Sequence, residues 1–369
     1  MVLTRLSIVN YKNIGQADLQ FSPNINCFLG NNGMGKTNLL DAIYYLSFCK
    51  SFTNLPDTQN IRHDEEFFML QGYYQAKDIT EEVFCGMKRR QKKQFKRNKK
   101  EYERFSDHIG FIPLVLISPA DSELIRGGSE ERRKFLDQVI SQFDKNYLNA
   151  LIRYNKALGQ RNSMLKQEKS ADPELLEIWE EQLHTEARLI YNRRREFLQE
   201  FIPVFQEFYN FISLGTEQVG IRYESDLTGG DLQTQLAVNR QRDMLLGYTT
   251  KGIHRDDLEM TLGDYPMKKI GSQGQNKTFL IALKLAQFEF LQKNGHTPPI
   301  LLLDDIFDKL DAQRVEQIIK LVSGERFGQI FITDTNREYL DEIVSSMGEN
   351  YHFFRVKNGE IAQLKESRS

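Results

Sequence analysis

The sequence predicts an α/β fold in which a mixed sheet with flanking helices is drawn from both ends of the chain and a helical lobe is inserted between them. Three observations carry this expectation. Near the start, the apolar segment Ile25-Asn26-Cys27-Phe28-Leu29 runs into a Gly-rich loop and then into Leu39, Leu40, Ile43, Tyr44 and Leu46 at helical spacing. From Asp121 to about Phe211 the apolar residues recur with the helical period. Near the end, Pro299-Ile300-Leu301-Leu302-Leu303-Asp304-Asp305 reads as a buried strand closed by two acids. The expected division is residues 1–117 with 248–369 as a split core, and residues 118–247 as the lobe.

In chain order, Val2 to Val9 and Gln16 to Phe21 alternate as strands ahead of the strand entering the Gly-rich loop. Between strands lies Val9-Asn10-Tyr11-Lys12-Asn13-Ile14, a plain turn or a contact to a bound base. Phe67 to Tyr74 and Val83-Phe84-Cys85 continue the β pattern. They lead into a basic run of Lys88, Arg89, Arg90, Lys92, Lys93, Lys96, Arg97, Lys99 and Lys100, interleaved with Phe95 and Tyr102. Such a run either neutralises DNA phosphates or blunts an exposed sheet edge. Ile112 to Ile117 is a short apolar strand ended by Ser118-Pro119.

The lobe follows. Ser129-Glu130-Glu131 reads as a cap with acids in the first turn, and a second helix carries Tyr147, Leu148, Leu151, Ile152 and Leu158. Asp172-Pro173 opens a third helix, whose seam of Leu176, Trp179, Leu183, Ile190, Phe197 and Phe201 spans about four heptads. That is short for a coiled-coil arm, and Pro203 should end or kink the helix. Arg193-Arg194-Arg195 reads as a solvated face. From Val219 β signals return, with one more helix from Leu232 to Leu246 before Gly252-Ile253-His254-Arg255-Asp256-Asp257-Leu258.

Composition narrows the class. With 369 residues, 40% of them hydrophobic and 27% charged, the chain can bury a sizeable core. A net charge of −2 and a pI near 6.4 exclude a uniformly basic binder, so any basic surface is local. Cys27, Cys49 and Cys85 are too scattered for a disulfide framework or a zinc site. No apolar run approaches the ~20 residues of a membrane span, and the N-terminus enters a strand where a signal peptide would be apolar. A cytoplasmic protein with no membrane partner is expected.

The Gly-rich loop, Gly30-Asn31-Asn32-Gly33-Met34-Gly35-Lys36-Thr37, satisfies G-x-x-x-x-G-K-T between strand and helix, the context that makes it a P-loop. Its backbone N–H groups and the helix N-terminus face a phosphate chain. Lys36 supplies charge to the β/γ-phosphates and the Thr37 hydroxyl is placed for Mg²⁺. ATP with Mg²⁺ is the expected ligand. Near the C-terminus, Gly271-Ser272-Gln273-Gly274-Gln275 precedes a helix, and alone it is no more than an N-cap. The acid-ended strand has the Walker B form, with Asp304 placed to hold Mg²⁺ through water and Asp305 to polarise the attacking water. Leu310-Asp311 makes a turn after it. In this order the motifs read as an ABC-type P-loop ATPase head. In that class the signature residues, here Ser272, Gln273, Gly274 and Gln275, cover the γ-phosphate bound by another head, so an ATP-dependent homodimer is expected.

NYKNI, GNNGMGKTNLLDAIYYLS, Ser118-Pro119 with GGSEERRKFLD, GIHRDDL, GSQGQNKTFLIALKLAQ and ILLLDDIFDKLD together resemble the RecF family, in order along almost the whole chain. RecF-like proteins resemble SMC heads without the long coiled-coil arms. The resemblance implies a cytoplasmic, weak, DNA-stimulated ATPase of recombinational repair and replication restart. Such a protein binds single- and double-stranded DNA at gaps and acts with RecR and RecO to load the RecA recombinase, supporting the SOS response. Two positions depart from pattern. Ile253 stands where RecF-like sequences usually carry Pro, and Thr333-Asp334-Thr335 stands where transporter-type heads place a histidine. That loss, with Asp305 in place of a longer Glu, predicts slow hydrolysis. The alternative is an ABC-type ATPase subunit driving another partner, where the missing histidine argues against a transporter and the short helical seam against an SMC-like complex. His254 is read as part of an interface loop or a salt-bridged turn. His63, His108, His184, His296 and His352 are read as structural or exposed.

Overall fold

The structure, a computed structural model, describes residues 1–369 except 54, 167–172, 296, 325, 346–350 and 365–369. The expected cap Asp172 and His296 lie outside the described residues. Two compact units result: Met1–Asp121 with Lys277–Ser369, and Ser122–Asn276.

The first unit opens with β1 (Val2–Tyr11), β2 (Ile14–Gln20), β3 (Ile25–Leu29) and α1 (Lys36–Phe48). It continues through β4 (Phe67–Ala76), β5 (Ile79–Lys88), β6 (Gln94–Arg97), β7 (Lys100–Glu101) and β8 (Leu114–Ile117). The second unit holds α2 (Glu123–Arg126), α3 (Ser129–Phe143), α4 (Lys145–Leu165), α5 (Pro173–Ser213), β9 (Val219–Glu224) and α6 (Leu232–Leu246). It ends with β10 (Asp257–Leu262), β11 (Tyr265–Pro266) and α7 (Met267–Ile270). Helix α8 (Gln273–Asn294) leads back to β12 (Ile300–Asp304), α9 (Ala312–Val322), β13 (Ile330–Asp334), α10 (Arg337–Ser345), β14 (Tyr351–Lys357) and β15 (Glu360–Leu364).

Two six-stranded sheets build the first unit. One has the order β2-β1-β4-β5-β6-β7 and is antiparallel, with Leu3, Leu6, Ile8 and Tyr11 of β1 wholly buried. The other has the order β15-β14-β3-β13-β12-β8, parallel except for β14–β15. Parallel strands covered on both faces need unbroken apolar runs. Leu114–Ile117, Ile300–Asp304 and Ile330–Asp334 are buried at every position. Helix α1 joins this core, buried from Leu39 through Phe48 and therefore apolar nearly all round. Phe21 packs edge-on against Phe331 at 4.9 Å, and Phe28 stacks on Phe354 at 5.0 Å, which locks residues of both chain ends into one core. Because β3 pairs with β13 and β13 with β12, the C-terminal ends of all three strands, at Leu29, Asp334 and Asp304, open on the same edge. That edge is where ligands bind in sheets of this kind.

In the second unit α4 packs along α5, and three expectations change. Pro203 does not end its helix, which runs on to Ser213. A mid-helix proline costs about 3 kcal/mol. Beyond it Phe205, Phe208, Tyr209 and Ile212 are buried, and each such side chain returns roughly 1.5–3 kcal/mol. Ser129 is the first helical residue, not the cap; Gly128 takes that place, and Ser129 Oγ accepts from Arg133. The split core was expected to resume at residue 248, but the second unit extends to Asn276. The reason is pairing: β10 lies antiparallel between β9 and β11, in register from Asp257 opposite Glu224 to Leu262 opposite Val219.

Candidate functional site

The P-loop leaves β3 and enters α1 at the open edge of the parallel sheet. Gly35 sits at φ 110° as the helix cap, and a Cβ there would stand 2.7 Å from the Asn13 side chain. A Cβ on Gly30 would lie 2.4 Å from the Val356 carbonyl oxygen. Only glycine lets the loop close in this way. No side chain caps α1, so its first N–H groups stay available to an anion. The loop tip is gripped from outside: Asn13 Nδ2 and the Gly359 amide donate to the Met34 carbonyl at 3.3 and 2.9 Å, and Asn38 Nδ2 donates to Asn13 Oδ1 at 2.8 Å. Neighbouring Lys12 pairs with Asp41, which is buried and also accepts from Tyr11, Ser51 and the Phe52 amide. The Asn10–Ile14 segment is thus a brace for the loop and helix.

Lys36, almost wholly buried, donates through Nζ to the Gly30 and Asn31 carbonyls at 2.7 and 3.3 Å. Its Nζ is 4.0 Å from Asp305 Oδ1. Thr37 Oγ1 donates to Asp304 Oδ2 at 2.9 Å, across 267 positions of sequence. Asp304 is 3% exposed and also accepts from Thr333 Oγ1 at 2.7 Å. Burial pushes its carboxyl above the ordinary value, against the lowering effect of those two hydroxyls. A buried carboxylate paired only with hydroxyls fits a hard cation with oxygen ligands, so Thr37 and Asp304 suit Mg²⁺. Asp305 takes a left-handed conformation, φ 46°. Asp311 of the following turn caps α9 by accepting from the Arg314 amide at 2.9 Å. Asp334 is buried, and its carboxylate accepts from the Asn336 amide.

The Ser272–Gln275 segment belongs to the second unit. Ser272 Oγ accepts from the Gln275 amide at 3.2 Å, and Gln275 Oε1 accepts from the Ser272 amide at 2.8 Å, a reciprocal capping box. Ser272 and Gln273 are exposed at the start of α8, with the backbone preset and the outer side chains uncovered.

The basic run divides. Lys93 is drawn inward, donating to Asp57 Oδ2 and the Cys49 carbonyl at 2.7 and 2.6 Å, and Arg97 pairs with Glu81 while stacking 3.7 Å over Phe111. Lys88, Arg90, Lys92, Lys99 and Lys100 remain exposed. Arg194 was expected on a solvated face but is 1% exposed, donating to Asp137, Asp256, Tyr147 and the Ile253 carbonyl. Its neighbour Arg193 stays at the surface with Asp144 and Glu196. No sequence signal separated the two, because helix phase relative to the partner elements is set by packing.

His254 also belongs to this interior. Its Nδ1 lies 2.7 Å from the Tyr154 hydroxyl and its Nε2 3.0 Å from the Thr249 carbonyl, so one hydroxyl and one carbonyl hold the ring. Burial lowers its pKa to about 4. A histidine whose folded value is depressed binds fewer protons folded than unfolded, so its contribution to stability is full above about 6.5 and is lost as pH falls toward 4. From pH 7 to pH 5 the loss amounts to about 2 kcal/mol. Urea denaturation at both pH values measures it, and His254→Gln is expected to remove this component of the slope.

Strand order, P-loop, acid-ended β12 and capped signature helix define a P-loop ATPase head of the ABC and SMC type. The RecF/RecN/SMC N terminal domain family matches residues 2–361. The DNA replication and repair protein RecF of Bacteroides fragilis (strain YCH46) is 62% identical over 367 residues, covering 99% of each chain. That of Parabacteroides distasonis is 60% identical over 366 residues, 99% of this chain and 100% of the relative. A solved structure of "the recombination mediator protein RecF-ATP in RecFOR pathway" superposes with a TM-score of 0.88 at 30% identity, over 99% of this chain and 98% of that one. The Smc head domain of Pyrococcus furiosus shares the fold, with a TM-score of 0.58 at 16% identity over 98% and 96% of the two chains. The chain belongs to the RecF family. Among the described residues no helix is long and apolar enough to cross a membrane.

Proposed function

We propose that this chain is an ATP-dependent DNA-binding protein of recombinational repair, a nucleotide switch in which ATP joins two copies into a clamp. The observation that carries the reading is the convergence of Lys36, Thr37, Asp304 and Asp305 on one sheet edge, with Thr37 and Asp304 already hydrogen-bonded. The Gly30–Thr37 loop holds the phosphates, with Lys36 on the β/γ-phosphates. Thr37 and Asp304 would hold Mg²⁺, which would neutralise phosphate charge there, and Asp305 would orient the attacking water. Ser272, Gln273, Gly274 and Gln275 serve the partner copy's nucleotide, their exposed helix start supplying N–H groups and hydroxyl to a γ-phosphate. Hydrolysis is slow, since Asp305 is short and Thr333-Asp334-Thr335 stands where transporter-type heads place a histidine, and DNA stimulates it. Relatives named for DNA replication and repair support the repair role, and a RecF-ATP structure named for the RecFOR pathway supports RecR and RecO as partners; the reading extends to DNA gaps, RecA loading and SOS signalling in the cytoplasm.

Solution mass with and without ATP·Mg²⁺ and gapped DNA, for wild type and Ser272→Arg, tests this. The expected result is a dimer that requires ATP, binds DNA more tightly and is lost on placing a bulky cation at the signature. A chain that stays monomeric with ATP and DNA yet turns over quickly would sink the switch.

A further inference from the structure

The left-handed Asp305 sits in a backbone frame built by residues outside the P-loop, the signature and the Walker B strand. A non-glycine residue there costs about 1–2 kcal/mol and persists only when its surroundings hold it. Its amide donates to Thr333 twice, to the carbonyl at 3.3 Å and to Oγ1 at 3.2 Å. The same Thr333 hydroxyl donates to Asp304 Oδ1 at 2.7 Å. One fully buried hydroxyl therefore fixes both acids of the pair, accepting from the backbone of one and donating to the side chain of the other. On the opposite side, Lys277 Nζ donates to the Asp305 carbonyl at 2.9 Å. The peptide units on both sides of Asp305 are thus held, while its carboxylate is left toward Lys36 at 4.0 Å.

Resting on the reading of Asp305 as the residue that orients water, we infer that Thr333 and Lys277 are positioning residues for it: they hold the left-handed turn that aims its carboxylate. Neither is among the groups assigned to the nucleotide. Lys277 has a further distinction, since it stands on α8, the helix that begins with the signature. An apolar side chain at either position leaves the P-loop and its Lys36 contacts intact but releases the turn; Thr333→Val also takes one hydrogen bond from Asp304, so Lys277→Met isolates the turn. Phosphate binding and hydrolysis should then separate.

The test uses the full chain as wild type, Thr333→Val, Thr333→Ser, Lys277→Met and Lys277→Arg, with Asp305→Asn as control. Three quantities are read: amide exchange of the peptide spanning residues 304–310 without nucleotide, affinity for a fluorescent ATP analogue with Mg²⁺, and single-turnover hydrolysis. In Thr333→Val and Lys277→Met the exchange at Asp305 is expected to rise and hydrolysis to fall at least about tenfold, with affinity within about threefold of wild type. Thr333→Ser, which keeps the hydroxyl, should stay within about twofold of wild type on all three readouts. Unchanged exchange at Asp305 in both apolar variants overturns the inference, and so does equal loss in Thr333→Ser. If Asp305→Asn hydrolyses like wild type, the role assigned to Asp305 fails, and the exchange readout still decides whether Thr333 and Lys277 hold its turn.

Discussion

Lys36→Met is expected to lower ATP·Mg²⁺ affinity by roughly 100-fold, corresponding to about 3 kcal/mol for two charge-assisted bonds to phosphate oxygens. The Lys36 ammonium sits 4% exposed inside the loop, donating to two of its carbonyls. These are contacts that a β/γ-phosphate would exchange for stronger ones. Methionine keeps the length and apolar stem of lysine, so the walls of the loop stay filled. What disappears is the charge, in a site whose other groups, Asp304 and Asp305, are acidic. A fluorescent ATP analogue titrated into wild type and variant measures the difference. Affinity retained within about threefold would mean that the loop amides and α1 dominate phosphate binding and that Lys36 serves the loop itself.

The second large effect concerns the Ser122–Asn276 unit. Arg194→Met is expected to destabilise the Ser122–Asn276 unit by about 3–5 kcal/mol, the usual result of removing one partner from a buried ionic network. Asp256 is 1% exposed, accepts from Arg194 Nη1 at 2.7 Å and from the Tyr223 hydroxyl, and is already pushed above the ordinary carboxylate range by burial. Without the guanidinium it faces that environment with hydroxyl support alone. Tyr147 and Asp137, which hydrogen-bond each other and Arg194, lose a shared partner as well. Urea unfolding followed by hydrogen exchange in this unit should show the drop. Arg194→Met combined with Asp256→Asn should recover part of it, because the second change removes the unpaired charge. Arg193→Met, by contrast, loses only surface pairs with Asp144 and Glu196 and should cost less than about 1 kcal/mol.

These two arginines, adjacent in sequence, mark the boundary of what the chain reveals before it folds. The P-loop was legible because its chemistry is local. Gly30, Gly33, Gly35, Lys36 and Thr37 act through one turn of backbone, and the strand before and helix after them follow from neighbouring residues. The acid-ended strand was legible for the same reason, since a strand buried on both faces must be apolar until it reaches the edge. The capping function of Ser272 and Gln275 could also be read at three-residue spacing. By contrast, the roles of Thr333 and Lys277 depend on which strand lies beside β12 and on where α8 passes. Continuation of α5 beyond Pro203 depended on aromatic side chains finding a core.

What the sequence determined by itself was the class: a P-loop, a signature and a Walker B strand in fixed order, each a short-range pattern whose physics is complete within a few residues. What only the tertiary structure decided was which polar groups became buried partners. Arg194, His254 and Lys93 look like surface or functional residues in the string, and packing turned them into interior ones. The reason is that burial and pairing are properties of juxtaposition. They arise from contacts such as Thr37 with Asp304, made across most of the chain, and local spacing carries no record of them.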